Sequence, residues 1–402
     1  MEPAGQRIAR ARRRRGLSQA ALAGLVGRSE SWLSQVERGK RGVDSHAALT
    51  RLASILRVDI AEISENSTDA AHAANPYPHA DLIEQAMMDY HAGCASITGE
   101  DAERAQSVAH LREMTRSAYQ EYQATRYEAT GYLLPSLIRS VETVSRIHGP
   151  TVPAICEVRA LAYDTAAALL NRIGEPALAW TAANRAMAAA GCSGDPLLSA
   201  VGAYRLSYVF SSRDHPAQAL ELAVTAADAL ERVMGTPSQE QLSVYGGLHL
   251  AAAIAAAAAY DRAQTAVLLA KASTIAERLG VNANLMGTAF GPLNVAIHTI
   301  STSLRFGDAR TAAEIGESLD TEALPPGLVG RRTQVHLDLA HAYALRRQDA
   351  AAVNVLLAAE CMSPQLVRYD GRTREVLTEL LRREHRPSTP ELRPLAHRTG
   401  VI

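Results

Sequence analysis

Three residues, Val26-Gly27-Arg28, stand between two short stretches that each carry helical apolar spacing. Ser18 is placed to cap a helix over residues 19–25, with Ala21, Leu22 and Leu25 inward. Ser29 is placed to cap a second helix that runs to about Arg38 and turns Trp32, Leu33 and Val36 inward. Gly27 supplies the tight backbone between them, and Gly39 ends the second helix. An earlier helix runs through Ile8 and Ala11 into Arg12–Arg15 and stops at Gly16. A fourth covers about 45–56 with Leu49, Leu52 and Leu56, and a short fifth begins at Asp59. Residues 1–64 are therefore expected to be a five-helix domain built around two helices joined by a short glycine turn.

The rest of the 402-residue chain is too long for one ordinary core. It is 47% hydrophobic but only 4% aromatic, and alanine dominates the apolar share, so the expected fold class is all-α. The longest uncharged apolar run, 248–260, is mostly alanine and reads as too short and too weakly apolar to span a bilayer. No apolar stretch follows the basic N-terminus, so no secretory signal is expected and the expected location is cytoplasmic. Cys94, Cys156, Cys192 and Cys361 lie far apart with no CxxC pair, which fits thiols in a core better than a disulfide framework or a zinc site. Residues 1–64 carry a net charge of +6 and the remainder −7. A basic head on an acidic body points to a polyanion at the head alone.

Residues 65–80, with Pro76 and Pro78, read as a linker. Residues 81–149 read as a bridging segment of three helices, with an irregular early repeat as the alternative. From 150 to 386 a pattern repeats: a helix-ending residue, a small residue five later and another twelve later. Gly174/Ala179/Ala186, Asp214/Ala219/Ala226, Ala258/Ala263/Ala270 and Arg347/Ala352/Ala359 follow it, and Gly307/Ala312 follows it with Leu319 in the last place. The tail 387–402, with Pro387, Pro390 and Pro394, reads as loosely ordered.

The string LSQAALAGLVGRSESWLSQVERGKR closely resembles the XRE family of lambda-repressor-like DNA-binding domains over about residues 5–64. The resemblance implies that the second helix of the pair lies in the major groove of double-stranded DNA. Its base-reading positions correspond to Glu30, Ser31, Trp32 and Gln35. Glu30 suits a cytosine amino group, Gln35 an adenine and Ser31 either. Trp32 has two readings, a thymine methyl contact or core packing. Gln19 matches the family's phosphate contact, and Arg28, Ser29, Arg38, Lys40 and Arg41 flank the groove. Glu37 is implied to pair with an arginine of the first helix, Arg10 or Arg14. Regulators of this family typically dimerise. With no leucine-zipper heptads in the chain, a homodimer through the helical body is expected.

The repeat positions resemble the small-residue positions of tetratricopeptide (TPR) arrays, which curve and leave a concave groove. A DNA-binding head with such a body resembles peptide-sensing regulators of Gram-positive bacteria, and implies a peptide or small-molecule effector. Four i, i+4 pairs are candidates to line the groove: Arg159/Tyr163, Tyr204/Tyr208, Tyr245/His249 and Asn294/His298. The segment 284–295 breaks helical character at Gly287, Gly291 and Pro292, resembles a stretch of actinobacterial regulators of this architecture, and reads either as a pocket mouth or as a plain loop. No Walker loop, GxGxxG, HExxH or GxSxG occurs, and the 13 histidines show no metal-ligand spacing, so neither an enzyme, a cofactor nor a metal is expected. The competing expectation is a DNA-localised scaffold or antagonist whose groove binds a protein partner.

Overall fold

The computed structural model of the protein describes residues 4–39, 43, 46–56, 58, 63, 77–89 and 107–402. Within them are twenty α-helices and two short 3-10 turns, and no strand. The chain divides into two units, Met1–Pro76 and Tyr77–Ile402.

In the first unit, the head, α1 (Ala4–Arg14), α2 (Gln19–Val26), α3 (Glu30–Glu37) and α4 (His46–Leu56) enclose one core of Ile8, Leu22, Val26, Leu33 and Leu52 with their neighbours. Ser18 Oγ accepts from the Ala21 N–H at 3.0 Å and Ser29 Oγ from the Trp32 N–H at 3.2 Å, so both caps form. Gly27 is left-handed (φ 75°), and the next N–H, of Arg28, bonds Ala23 O at 2.8 Å. The inner face of α2 differs from the expected one. Leu22, Ala23 and Val26 are buried, whereas Ala21 is exposed and Leu25 is half exposed at 50%. The burial of Val26 one position beyond the expected helix end sets this phase, because 22 and 26 are one turn apart. Of the fifth helix expected from Asp59, only Ile63 is among the described residues, and it is buried in the head core.

The second unit, the body, starts at Tyr77 and so takes in the last four residues of the expected linker. Tyr77 is buried against Tyr369, and its hydroxyl donates to Tyr127 O at 2.5 Å. After α5 (Ala80–Met88) come six antiparallel hairpins. They are α6 (Val108–Gln123) with α7 (Tyr127–His148), α8 (Pro153–Arg172) with α9 (Pro176–Ser193), and α10 (Pro196–Ser212) with α11 (Pro216–Val233). Then follow α12 (Gln239–Ala258) with α13 (Arg262–Leu279), α14 (Pro292–Arg305) with α15 (Ala309–Ser318), and α16 (Val329–Leu345) with α17 (Asp349–Met362). Proline opens α8, α9, α10, α11 and α14, where its missing N–H costs no helical bond.

All six hairpins turn in the same way. Thr125, Gly174, Asp214, Tyr260, Gly307 and Arg347 are left-handed, with φ between 59° and 85°. The following N–H bonds the carbonyl five residues back at 2.8–3.0 Å, from Arg126 to Glu121 in the first and from Gln348 to Tyr343 in the last. This is the Schellman closure. Ala179, Ala186, Ala219, Ala312, Ala352 and Ala359 are buried where partner helices approach, as their spacing requires, but Ala226 is only half-buried, with Ala223 and Ala227 buried on either side of it. The α12–α13 hairpin corrects the sequence reading. Its turn lies at Tyr260 and not Ala258, so Thr265 and Ala272 are the buried positions while Ala263 and Ala270 are exposed. The bridging segment 81–149 also contains a full hairpin, α6–α7, with Thr130 and Leu137 buried at the same two offsets from Thr125.

Helix α12 is long and apolar enough to cross a membrane by length and composition, but 83% of that span is buried inside the body. It is a core helix. The body ends in α18 (Pro364–Tyr369), α19 (Gly371–Arg382) and α20 (Leu392–Arg398). The tail expected to be loose therefore carries a packed helix, with Leu392, Leu395 and Ala396 buried. Pro394 falls in its first turn, where proline is tolerated.

Candidate functional site

Helix α3 presents Glu30 and Ser31 as exposed side chains and Gln35 as half-buried, and Arg38, its C-cap residue, is exposed as well, which makes a polar strip. Trp32 belongs elsewhere. It is 6% exposed and packs in the head core, so its large ring follows the apolar i, i+4 spacing of Trp32 and Val36 and not the polar strip. The Arg28 guanidinium lies over the Trp32 ring, 5.7 Å from its centroid. Ser29 spends its oxygen on the α3 cap, and Arg38 Nε donates back to Ser34 O at 3.0 Å. Lys40 and Arg41 lie outside the described residues.

The frame behind this strip is a buried ion pair. Arg12 Nε donates to Glu37 Oε1 at 2.6 Å and its Nη2 to Oε2 at 3.0 Å, with Gln19 Nε2 adding a third bond to Oε2 at 2.7 Å. Burial pushes the Glu37 carboxyl up, but the hydrogen bonds from Arg12 and Gln19 outweigh it and hold it below its usual range. The partner of Glu37 is thus Arg12, not Arg10 or Arg14. Position 12 is one helical turn after Ile8 on the inward face of α1, and it is the buried member of the arginine run. Gln19 is tied to the core carboxylate through one of its two amide hydrogens.

In the body the four residue pairs fall into three environments. Tyr204 and Tyr208 stack edge-on at 5.1 Å, and Tyr208 OH meets His298 Nε2 at 2.8 Å. His298 Nδ1 is 2.7 Å from Asn294 O. A carbonyl only accepts, so Nδ1 carries the proton and Nε2 accepts from Tyr208. Arg159 and Tyr163 instead turn to Glu142 of α7, at 3.0 and 2.9 Å, with Arg185 of α9 donating to the Tyr163 hydroxyl at 3.1 Å. Tyr245 and His249 stack on one another at 4.7 Å. Burial, with Glu231 and Asp228 behind it, pushes the Tyr245 phenol up to about 12. Both His249 ring nitrogens are buried without a hydrogen-bond partner among the described residues. The four pairs therefore do not share one set of contacts: Tyr208 joins His298, Arg159 and Tyr163 turn to Glu142, and Tyr245 meets His249. Glycines, not aromatics, face inward between Tyr245 and His249, since a Cβ at Gly246 would meet Phe290 and one at Gly247 would meet Tyr204.

Tyr204 instead borders a cleft of about 520 Å³, solvent included, that Tyr119, Tyr122, Tyr127, Arg172 and Arg331 also line. Helix α6 forms one wall. Tyr119 OH donates to Gly287 O at 2.7 Å, and the amides of Gln123 and Asn284 bond reciprocally at 3.0 and 2.6 Å. The 284–295 break is thus a cleft edge: Gly287 and Ala289 line it, while Phe290 plugs into α12.

Residues 4–65 match a family model described as a helix-turn-helix domain. Residues 4–65 are a helix-turn-helix domain. Among solved structures, one similar to this chain is that of Bacillus thuringiensis PlcR in complex with the peptide PapR7 and DNA. Identity is 11%, over 88% of this chain and 100% of that one, with a TM-score of 0.34, a likeness too distant to bear on function. No curated protein matches the sequence.

Sequence reasoning located the exposed strip of the helix-turn-helix domain but missed most of the cleft in the body. The available signal was density: Tyr119, Tyr122, Tyr127 and Tyr132 fall close together in a chain only 4% aromatic. The buried histidines of the body carry a pH consequence. Burial first, then Arg331, holds His298 down to about 3. Burial with Lys271 holds His249 to about 4, and burial with Arg372 holds His341 to about 4. Their folded pKa values lie below the unfolded value of about 6.5, so the unfolded chain binds more protons between the two. The body is expected to keep this stability above pH ~6.5 and to lose it as pH falls, by at most ~1.4 kcal/mol per pH unit for each histidine. Urea unfolding followed across that window checks this, with His298→Gln expected to remove one histidine's share of the slope. A flat profile, or an unchanged slope in the variant, refutes it.

Proposed function

We propose that the chain is a sequence-specific transcriptional regulator, acting in the cytoplasm, whose helix-turn-helix domain reads double-stranded DNA through α3. The observation that carries this reading is the exposed polar strip of α3 on a domain whose family is identified by residues 4–65. Glu30, Ser31 and Gln35 are assigned to base edges, the last to adenine. Gln19, Arg28, Ser29 and Arg38, with Lys40 and Arg41, are assigned to the sugar–phosphate backbone. The helical body supplies a homodimer contact and receives an effector. The cleft beside Tyr204, with its convergent polar groups, supports the second of these roles.

Two substitutions separate base reading from charge. Gln35→Ala is expected to weaken binding to a selected operator by roughly tenfold, in line with 1–3 kcal/mol for one bidentate base contact, while leaving binding to random DNA unchanged. Arg38→Ala is expected to weaken binding to every sequence and to lower the salt slope by about one. Fluorescence-anisotropy titrations over a salt series measure both. Equal loss on random DNA for Gln35→Ala, or an unchanged slope for Arg38→Ala, refutes the respective assignment.

A further inference from the structure

Three arginines border the α6 cleft, and two of them are neutralised. Arg205 forks onto Asp164, with Nε to Oδ1 and Nη2 to Oδ2 both at 3.1 Å. Arg172 stands 3.7 Å from Asp370 and reaches Gln334 Oε1 at 3.5 Å. Arg331, in the first turn of α16, is half-buried and lines the same cleft. Among the described residues it has no carboxylate within ion-pair distance. Gln334, one turn along α16, gives its amide to Asp338, which also accepts from Ser301, so that carboxylate is engaged elsewhere. Three guanidinium charges against two carboxylates leave one cation unbalanced at the cleft. Withdrawing a guanidinium from water without a counter-charge is unfavourable, and an anion arriving there removes that cost.

The remaining walls say what the anion is attached to. Tyr119 and Tyr122 lie 5.8 Å apart, Tyr122 and Tyr127 5.9 Å apart, and Tyr204 stacks on Tyr208. Rings at these spacings offer faces and edges to another flat ring. Helix α6 is fixed to the 284–291 segment by Tyr119 and Gln123, so the tyrosines it carries are held in place at the cleft.

We infer that this cleft is the binding site of a small aromatic carboxylic acid, with the carboxylate on Arg331 and the ring among the tyrosines. The inference deepens the reading of the body as an effector receiver and rests on it. It identifies the effector by chemical class.

The test compares benzoate with benzamide, its neutral isostere, on the full-length protein without DNA, by ligand-observed NMR titration. Benzoate is expected to bind saturably, and benzamide about tenfold or more weakly, the loss of one charge-assisted contact. Arg331→Gln is expected to bring benzoate down to the benzamide level, and Arg331→Lys to restore part of the difference. The benzoate–benzamide comparison on the unsubstituted protein keeps the test valid if a variant misfolds. Absence of saturable benzoate binding, equal binding of the two probes, or unaltered binding by a folded Arg331→Gln protein overturns the site. DNA affinity with and without benzoate is measured separately. Saturable binding with unchanged DNA affinity upholds the site and overturns the effector reading of the body.

Discussion

Replacing Glu37 with alanine is expected to unfold the helix-turn-helix domain while the body keeps its own transition. Glu37 accepts three hydrogen bonds, two from Arg12 and one from Gln19, and its side chain is 5% exposed against 10% for Arg12. The substitution removes the carboxylate that accepts all three of these bonds and leaves the Arg12 guanidinium uncompensated in the core, with Leu17 O, 2.8 Å from Nη1, still accepting from it. Breaking a buried pair from one side costs about 3–5 kcal/mol, because the surviving charge is left uncompensated. A domain of this size commonly has little more than about 5 kcal/mol in total. Glu37→Gln is expected to fall in between, since it keeps an acceptor for Arg12 but loses the charge. Trp32 lies in the head core and Trp180 in the body, so fluorescence melts in a Trp180→Phe background report the head alone. A Glu37→Ala midpoint within error of the parent would refute the structural role. The sign with pH follows from the depressed Glu37 carboxyl: its contribution is present above the ordinary glutamate pKa and lost as pH falls below it.

The second large effect is expected at Gly246. A Cβ there would stand 2.0 Å from Phe290 Cζ, and the Phe290 ring has no exposed surface to retreat into. Gly246→Ala therefore forces Phe290 out of α12 or distorts the helix, at a cost of about 1–3 kcal/mol or more. Phe290→Ala alone is expected to cost about 3–5 kcal/mol through the cavity it leaves. Together the two should cost less than their sum, because the new methyl has no ring to meet and fills part of that cavity. Urea midpoints of the four proteins close the cycle. Strict additivity would show that the two positions do not compete for the same space. Because Gly287 and Ala289 sit beside Phe290 and line the cleft, Gly246→Ala is also expected to weaken whatever the cleft holds.

What was legible in the sequence follows from how local each signal is. The caps at Ser18 and Ser29 and the Gly27 turn are decided by a few adjacent residues, and all three form. The hairpin turns at Gly174 and Gly307 were readable for the same reason. The turn at Tyr260 was hidden because a tyrosine rarely takes a left-handed backbone, and a nearby alanine two positions early mimics the pattern. The α6–α7 hairpin was obscured likewise, with Thr125 standing where a glycine would have announced it. Arg12 was displaced by Arg10 and Arg14 because the run of arginines masks helical phase, which only the burial of Ile8 and Ala11 restores. The cleft was least legible of all. Its walls come from α6, the start of α7, α8, α10, the 284–291 segment and α16, so no short stretch of chain contains it.

That same α6 changes what kind of object the body is. In a stack of hairpins each unit touches only its neighbours, and such a stack can melt from its ends inward, one unit at a time. Here the first hairpin is bonded to the connection before the fifth through Tyr119–Gly287 and Gln123–Asn284, and to the chain after the last through Thr125 and Ser363, whose hydroxyls lie 2.6 Å apart. Arg172 likewise joins the second hairpin to Asp370. These cross-links span 161 to 238 residues of sequence. The array loses its free ends, and fraying of one hairpin is charged to units far along the chain. Occupancy of a cleft where those distant units meet is then felt by the body as a whole.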